Sequence, residues 1–270
     1  GWNNRGQYAD GTPTSRAYAV TSNGLRGLQG VAMGTYHGCG LDDEGGAQCW
    51  GYNPWGQLGD GTNRSRLIRA PVNDLIAIRA VRVTDRSSCA LHDDGTVSCW
   101  GFNAWGQLGD GSNRTRWSPG PVRDILSIKA LGSGRHHYCA LNEAGRVFCW
   151  GYNGYGNLGD GSRSSRQRPV PVEGLEEVEG LAIGDLTSCA VSVDGTMSCW
   201  GRNDLGQCGD GGSSHRNAPV AVEQLTEVVE ADVGELHACA RRQDGGVWCW
   251  GSDLYNTMGR QRASGLRIMR

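Results

Sequence analysis

The run C-A-L-H-D-D-G-T-V-S-C-W-G-F-N-A-W-G-Q-L-G-D-G, Cys89 to Gly111, decides the fold. Two β-rich segments flank Asp94-Gly95, a pair that favours the left-handed conformations of a tight hairpin turn. With the turn there, residues whose numbers sum to 188 face each other, and Cys89 and Cys99 do so. Opposed non-hydrogen-bonded positions on antiparallel strands have Cα atoms about 4.5 Å apart, at the lower edge of disulfide reach.

The run recurs with a period of fifty residues. Trp50, Trp100, Trp150, Trp200 and Trp250 are each followed by Gly, and the cysteines keep the same ruler: Cys39 and Cys49, Cys89 and Cys99, Cys139 and Cys149, Cys189 and Cys199, Cys239 and Cys249. Only Cys208 stands outside it. Five further columns repeat without change: Asn3 to Asn203, Gly6 to Gly206, Asp10 to Asp210, Gly11 to Gly211 and Arg16 to Arg216. Such symmetry means one structural unit built five times, as repeats 1–50, 51–100, 101–150, 151–200 and 201–250, with 251–270 a partial or closing segment. No linker or composition shift interrupts the array, so 1–270 reads as a single domain.

Upstream of the hairpin, Ile76 to Val83 alternates apolar and polar residues, the period of a half-buried strand. Ala70-Pro71-Val72 is a shorter segment whose Pro suits an edge or a strand start. Four short strands per unit without helices predict an all-β fold, a β-propeller of four-stranded blades.

Composition narrows the function. Lysine and arginine total 26 against 28 acidic residues, and the pI is near 6.3, which argues against a nucleic-acid partner held by a general basic field. No apolar run is long enough to span a membrane. The chain starts without Met or an apolar leader, which reads as a mature or truncated form of something longer. The 44 glycines fit a turn-rich chain, and 25 Arg against the single Lys129 resembles the bias of a GC-rich bacterial genome. The sequons Asn63-Arg64-Ser65 and Asn113-Arg114-Thr115 would accept N-glycans only in a eukaryotic secretory pathway.

Zinc sites use short C-x₂₋₄-C knuckles, and none occurs, so all five cysteine pairs are expected to be intra-hairpin disulfides. Each would close an eleven-residue loop, about 2.7 kcal/mol of stabilisation by chain entropy. Disulfides imply an oxidising, extracytoplasmic compartment: secreted, periplasmic or cell-surface. Cys208 shares a column with Leu58, Leu108 and Leu158 and reads as a buried small hydrophobe.

Asp10 and Arg16, Asp60 and Arg66, Asp110 and Arg116, Asp160 and Arg166, and Asp210 and Arg216 are spaced to fold back into ion pairs that pin a Gly-rich loop. Catalysis by them would require five equivalent active sites, so the pairs are read as structural. The Asn column suits backbone capping of the same turns. The Asp-Gly loops lack the ligand spacing of calcium sites. His37, His137 and His237 share a column with Ser87 and Thr187, which points to local hydrogen bonding rather than metal. No metal or cofactor is expected, nor any catalytic residue, because no G-x-S-x-G elbow, metal motif or phosphate loop occurs.

A hairpin sends both outer ends to the side opposite its tip, so residues before each first Cys and after each Trp-Gly should meet. These columns vary freely, are rich in aromatic and Arg residues, and hold the candidate partner-binding residues Tyr36, Arg86, His136, Tyr52, Trp55, Phe102, Trp105, Tyr152 and Tyr155.

The quoted run resembles the repeat of the regulator-of-chromosome-condensation family, whose members are β-propellers, commonly of seven blades. The resemblance recurs five times, from residue 1 to about 254. Five repeats plus a fragment imply either an incomplete chain, able to assemble with further repeats, or an unusual blade number. The family includes nucleotide exchange factors, ubiquitin-ligase modules and secreted inhibitors. Propeller-type β-lactamase-inhibitor proteins are similar in pattern and bind through aromatics in matching loops, which would carry over to Tyr36, Tyr52, Trp55, Phe102, Trp105, Tyr152 and Tyr155. The expectation is a non-enzymatic extracytoplasmic propeller that binds a protein or other macromolecule through one loop face. A protein inhibitor of a secreted enzyme, a lyase or hydrolase using a central channel, and an adhesion module of a longer surface protein are the alternatives.

Overall fold

The computed structural model describes residues 1–19, 21–252 and 266–268. Segment 251–270, read from sequence as a partial repeat, lies mostly outside the described residues. Apart from one 3-10 turn at Asn23–Leu25, the regular structure among the described residues is all β. The chain divides into two compact units, Gly1–Ile128 and Lys129–Arg270.

The first unit holds two sheets. One runs β1 (Gly30–Met33), β2 (His37–Leu41), β3 (Ala47–Gly51) and β4 (Arg66–Pro71); the other β5 (Ile78–Val83), β6 (Ser87–His92), β7 (Val97–Gly101) and β8 (Arg116–Pro121). In each sheet, strands adjacent in sequence pair antiparallel, giving a simple meander. The turn after β6 lies at Asp93–Thr96, where Gly95 takes a φ of +79°. Cys89 faces Cys99 in that register. The rest of the core is built from residues that alternation marks: Val81 and Val83 of β5 are buried while Arg82 points outward.

The second unit holds three such sheets. They are β9 (Ile128–Ser133), which starts at the unit boundary, with β10 (His137–Asn142), β11 (Val147–Gly151) and β12 (Arg166–Pro171); β13 (Val178–Ile183), β14 (Thr187–Ser192), β15 (Met197–Gly201) and β16 (Arg216–Ala221); and β17 (Val228–Val233), β18 (His237–Arg242), β19 (Val247–Gly251) and β20 (Leu266–Ile268).

Sheets and sequence repeats are out of phase. The short strand read at Ala70–Val72 is longer, Arg66–Pro71, and pairs backwards onto β3 of the preceding repeat, Pro71 opposite Gln48. Every sheet therefore straddles a repeat boundary, and each of the second to fifth repeats is stitched into two sheets. Residues 16–19, the matching column of the first repeat, form no strand.

Pro119, Pro169 and Pro219 stand at one column of β8, β12 and β16, where a missing N–H blunts an edge strand. β4 has Arg69 there, and its guanidinium instead ties the segment after the 3-10 turn to the edge by donating to Arg26 O at 2.8 Å.

The Trp column is the centre of each core. Trp50, Trp100, Trp150 and Trp200 are fully buried. Trp100 Nε1 donates to Gln57 O at 2.9 Å, and Trp50, Trp200 and Trp250 make the same bond to Gln7, Asn157 and Gln207. A buried indole needs its N–H satisfied, and here the bond reaches back 43 residues to the loop that opens the same repeat.

Candidate binding surface

The loops that carry the candidate residues are held by one recurring knot. In the second repeat, Asn53 is fully buried and its Nδ2 donates to Asp60 Oδ1 (3.2 Å), Thr62 O (3.0 Å) and Arg64 O (3.1 Å), while its Oδ1 accepts from Leu58 N at 2.9 Å. Asp60 Oδ2 accepts from both Arg66 Nε and Nη2, at 3.0 and 2.9 Å, an ion pair with two charge-assisted hydrogen bonds to one oxygen. Burial works against the Asp60 charge, but the hydrogen bonds from Thr62 and Arg66 outweigh it and hold the carboxyl below its ordinary value. The same ion pair stands at Asp10 and Arg16, Asp160 and Arg166, and Asp210 and Arg216. Asp110 and Arg116 are 3.7 Å apart, with the Arg116 guanidinium lying across Gly120, in space that a side chain would fill.

This knot delivers the two variable columns to each other. In the first unit Tyr52 N donates to Tyr36 O at 3.0 Å and Phe102 N to Arg86 O at 2.9 Å. Only glycine allows the crossing: Gly51 and Gly101 have φ of +102° and +103°, and a Cβ on either would lie 2.6 Å from the Tyr36 or Arg86 carbonyl oxygen. The aromatic side chains then run ring to ring, tilted between Tyr36 and Tyr52 and edge to face from Tyr52 onward. Ring centroids are 5.9 Å apart for Tyr36 and Tyr52, 5.6 Å for Tyr52 and Trp55, 5.8 Å for Trp55 and Phe102, and 5.4 Å for Phe102 and Trp105. Arg86 places its guanidinium carbon 4.5 Å from a Trp55 ring centroid and 5.6 Å from that of Phe102; Arg5 lies 4.6 Å from Tyr52. All five aromatics and Arg86 are half-buried, so their exposed edges form a continuous strip.

The second unit has a shorter strip. Tyr152 N donates to His136 O at 3.0 Å, and centroids are 6.3 Å apart for His136 and Tyr152, 6.4 Å for Tyr152 and Tyr155, and 5.0 Å for Tyr155 and His215. His215 was not anticipated. Its signal is a break in a column otherwise holding Ser15, Ser65, Thr115 and Ser165: its Nδ1 accepts from Asn203 N at 3.1 Å, the bond that Ser65 Oγ makes to Asn53 N. The strip ends where Arg202 replaces the aromatic of its column and pairs with Asp204 at 2.7 Å.

The ten column cysteines form five disulfides, each with a Cα–Cα distance of 4.1 Å. Cys208 is a free, fully buried thiol, and burial pushes it up to about 12. His37 and His137 are fully buried, with Nε2 2.8 Å from Ser88 Oγ and 2.9 Å from Ser188 Oγ. Each serine hydroxyl spends its proton on a backbone carbonyl, Gln57 O or Asn157 O, so each imidazole must donate from Nε2. Burial brings His37 down to about 4 and His137 to about 3, keeping both neutral. Among the described residues, no group of three or more His, Cys, Asp or Glu side chains is placed to hold a metal, and no helix is long and apolar enough to cross a membrane.

Comparison with known proteins places this geometry. The sequence pattern described as the regulator of chromosome condensation (RCC1) repeat matches residues 94–141, 144–191 and 194–241. A second pattern of the same description matches 29–57, 128–157, 178–207 and 228–259. No curated protein matches the sequence. Among solved structures, Prp20p of Saccharomyces cerevisiae is 26% identical with a TM-score of 0.74, covering 85% of this chain and 59% of its own, and is described with its binding to Gsp1p and histones. Human WBSCR16 is 21% identical with a TM-score of 0.74, covering 83% of this chain and 62% of its own. Yeast RCC1 (Prp20) bound to Kap60 is 19% identical with a TM-score of 0.61, covering 92% and 77%. The chain spans about three fifths of the length of the first two. With the repeat pattern matching more than half of the sequence and a four-stranded sheet recurring every fifty residues, the chain belongs to the regulator of chromosome condensation (RCC1) repeat family of β-propellers.

Proposed function

We propose that the protein is a non-catalytic, extracytoplasmic module that binds a protein partner, with the aromatic and arginine strip of the first unit as its main contact. The observation that carries the reading is the strip itself: five half-buried aromatics in mutual contact and two arginines on their faces, set on loops that the Asn-Asp-Arg knots hold rigid. Rigid aromatics and Arg lose little conformational freedom on binding and are the usual anchors of interfaces. The descriptions of Prp20p, with Gsp1p and histones and with Kap60, support protein recognition as a use of this fold. The five disulfides support an oxidising compartment.

The test compares the chain with its Trp55→Ala, Trp105→Ala variant as baits, disulfides intact, against the extracellular proteins of its source. We expect a protein retained by the first and lost from the second, while Ile76→Ser, on an unrelated exposed residue, retains it. Each strip contact is worth about 1 kcal/mol, so the double variant should unfold only a few degrees lower. Equal retention by both baits, or cooperative unfolding abolished in the double variant, would refute the assignment.

A further inference from the structure

We infer that the first unit's strip reads a carboxylate: its occupant is a protein segment presenting an Asp or Glu side chain to Arg86, with an apolar residue beside it on Trp55 and Phe102. This rests on the protein-binding reading and adds the chemistry of the partner. At least nine of the 25 arginines rest on an acid in the described structure. Arg16, Arg66, Arg116, Arg166 and Arg216 pair with the loop aspartates, Arg135 with Asp185, Arg202 with Asp204, and Arg241 and Arg242 with Glu230 and Glu227.

Arg86 has no ion pair among the described residues. It is positioned instead by two aromatic faces, 4.5 Å from Trp55 and 5.6 Å from Phe102, and its Nε is buried without a hydrogen-bond partner. A guanidinium stacked on a ring keeps its in-plane donors free, and those donors match a carboxylate bidentately. Arg5 repeats the arrangement on Tyr52, also without an ion pair among the described residues. Two isolated cations among rings, on a chain of net charge −2, suit one or two acidic side chains in an apolar setting rather than a run of phosphates or sulfates.

The test selects a random-peptide display library on the full disulfide-intact chain. We expect enriched peptides to share an Asp or Glu next to an aromatic or aliphatic residue. Changing that acid to its amide, or Arg86→Gln in the protein, should weaken binding about tenfold or more, and the two changes together should weaken it little further. The amide peptide probes the unaltered protein, so the result stands even if Arg86→Gln disturbs folding. Enriched peptides without an acid, amide peptides that bind as well as their parents, displacement of the peptides by heparin, or no enrichment at all would each overturn the carboxylate reading. Peptides lost from Trp55→Ala, Trp105→Ala but kept by Arg86→Gln would overturn this inference alone; peptides kept by both variants would overturn the protein-binding site as well.

Discussion

His37 and His137 tie neighbouring sheets together within each unit, His37 on β2 to Ser88 on β6 and His137 on β10 to Ser188 on β14. Their column also holds Ser87, whose Oγ lies 2.8 Å from Thr84 Oγ1. The residue three before limits what the column can hold: every histidine in it follows a glycine there, as does Thr187 after Gly184. A Cβ on Gly134 would fall 2.2 Å from the His137 ring, and Gly34 and Gly234 likewise precede a histidine, whereas Thr84 accompanies the smaller serine. Both histidines are neutral when folded, brought down to about 4 and about 3, yet would be charged in the unfolded chain below its ordinary 6.5. Between those values the unfolded state binds more protons, so stability is complete above pH 6.5 and falls on acidification towards pH 4 and 3. His37 accounts for about 3 kcal/mol at most and His137 for about 5 kcal/mol at most. His37→Gln with His137→Gln keeps a side-chain N–H for the serines but cannot titrate. Its urea midpoints, measured from pH 7 down to 4, should show a much flatter fall than the parent's, and parallel curves would contradict this account. Asp60, Asp160 and Asp210, held below their ordinary 3.8 by net hydrogen bonding against burial, add a separate loss at still lower pH.

At the scale of the element, the hairpin is where covalent and packing terms meet. β6 and β7 bring Cys89 opposite Cys99, bury Trp100 completely, and send its indole N–H to the loop that opens the same repeat. The disulfide closes a short loop, sequence separation 10, so it acts on one hairpin. Cys89→Ala with Cys99→Ala should cost about 3 kcal/mol, and amide exchange should rise first in β5 to β8, since sheets of a repeat protein are stabilised by themselves and their neighbours. Uniform deprotection of every sheet would contradict that locality. Trp100→Ala removes a fully buried indole and should cost about 3–5 kcal/mol, much more than the exposed-edge Trp55. The hairpin register and the meeting of the two loop columns were legible because each depends on spacing along a single hairpin, and the fifty-residue ruler because that hairpin recurs unchanged. The phase of the sheets was not, because β4 finds its partner in the preceding repeat, and no local pattern in Arg66 to Pro71 says which hairpin it joins. The displaced Arg116 escaped because it is set by the missing side chain at Gly120, and His215 because a single departure from a Ser and Thr column does not say what the new side chain touches.

Over the whole molecule, the charge arithmetic looks like that of a nucleic-acid binder only when the arginines are counted without their partners. There are 26 basic residues against 28 acidic ones, a net charge of −2, and at least nine arginines are already committed: the five of the loops to aspartates and four more to Asp185, Asp204, Glu227 and Glu230. A cation already neutralised by an internal carboxylate releases few counterions on meeting a phosphate, and counterion release supplies most of the sequence-independent affinity for duplex DNA. The two arginines on the aromatic strip are too few to form a phosphate-tracking groove. The chain should therefore run through a heparin column and leave duplex DNA unshifted on a gel even at about 50 mM salt, where such binding is strongest. Retention that weakens steeply with added salt would mean that the loop pairs open and lend their guanidinium groups to phosphate, and the Asn-Asp-Arg knots would then be exchangeable contacts rather than the fixed frame of the binding loops.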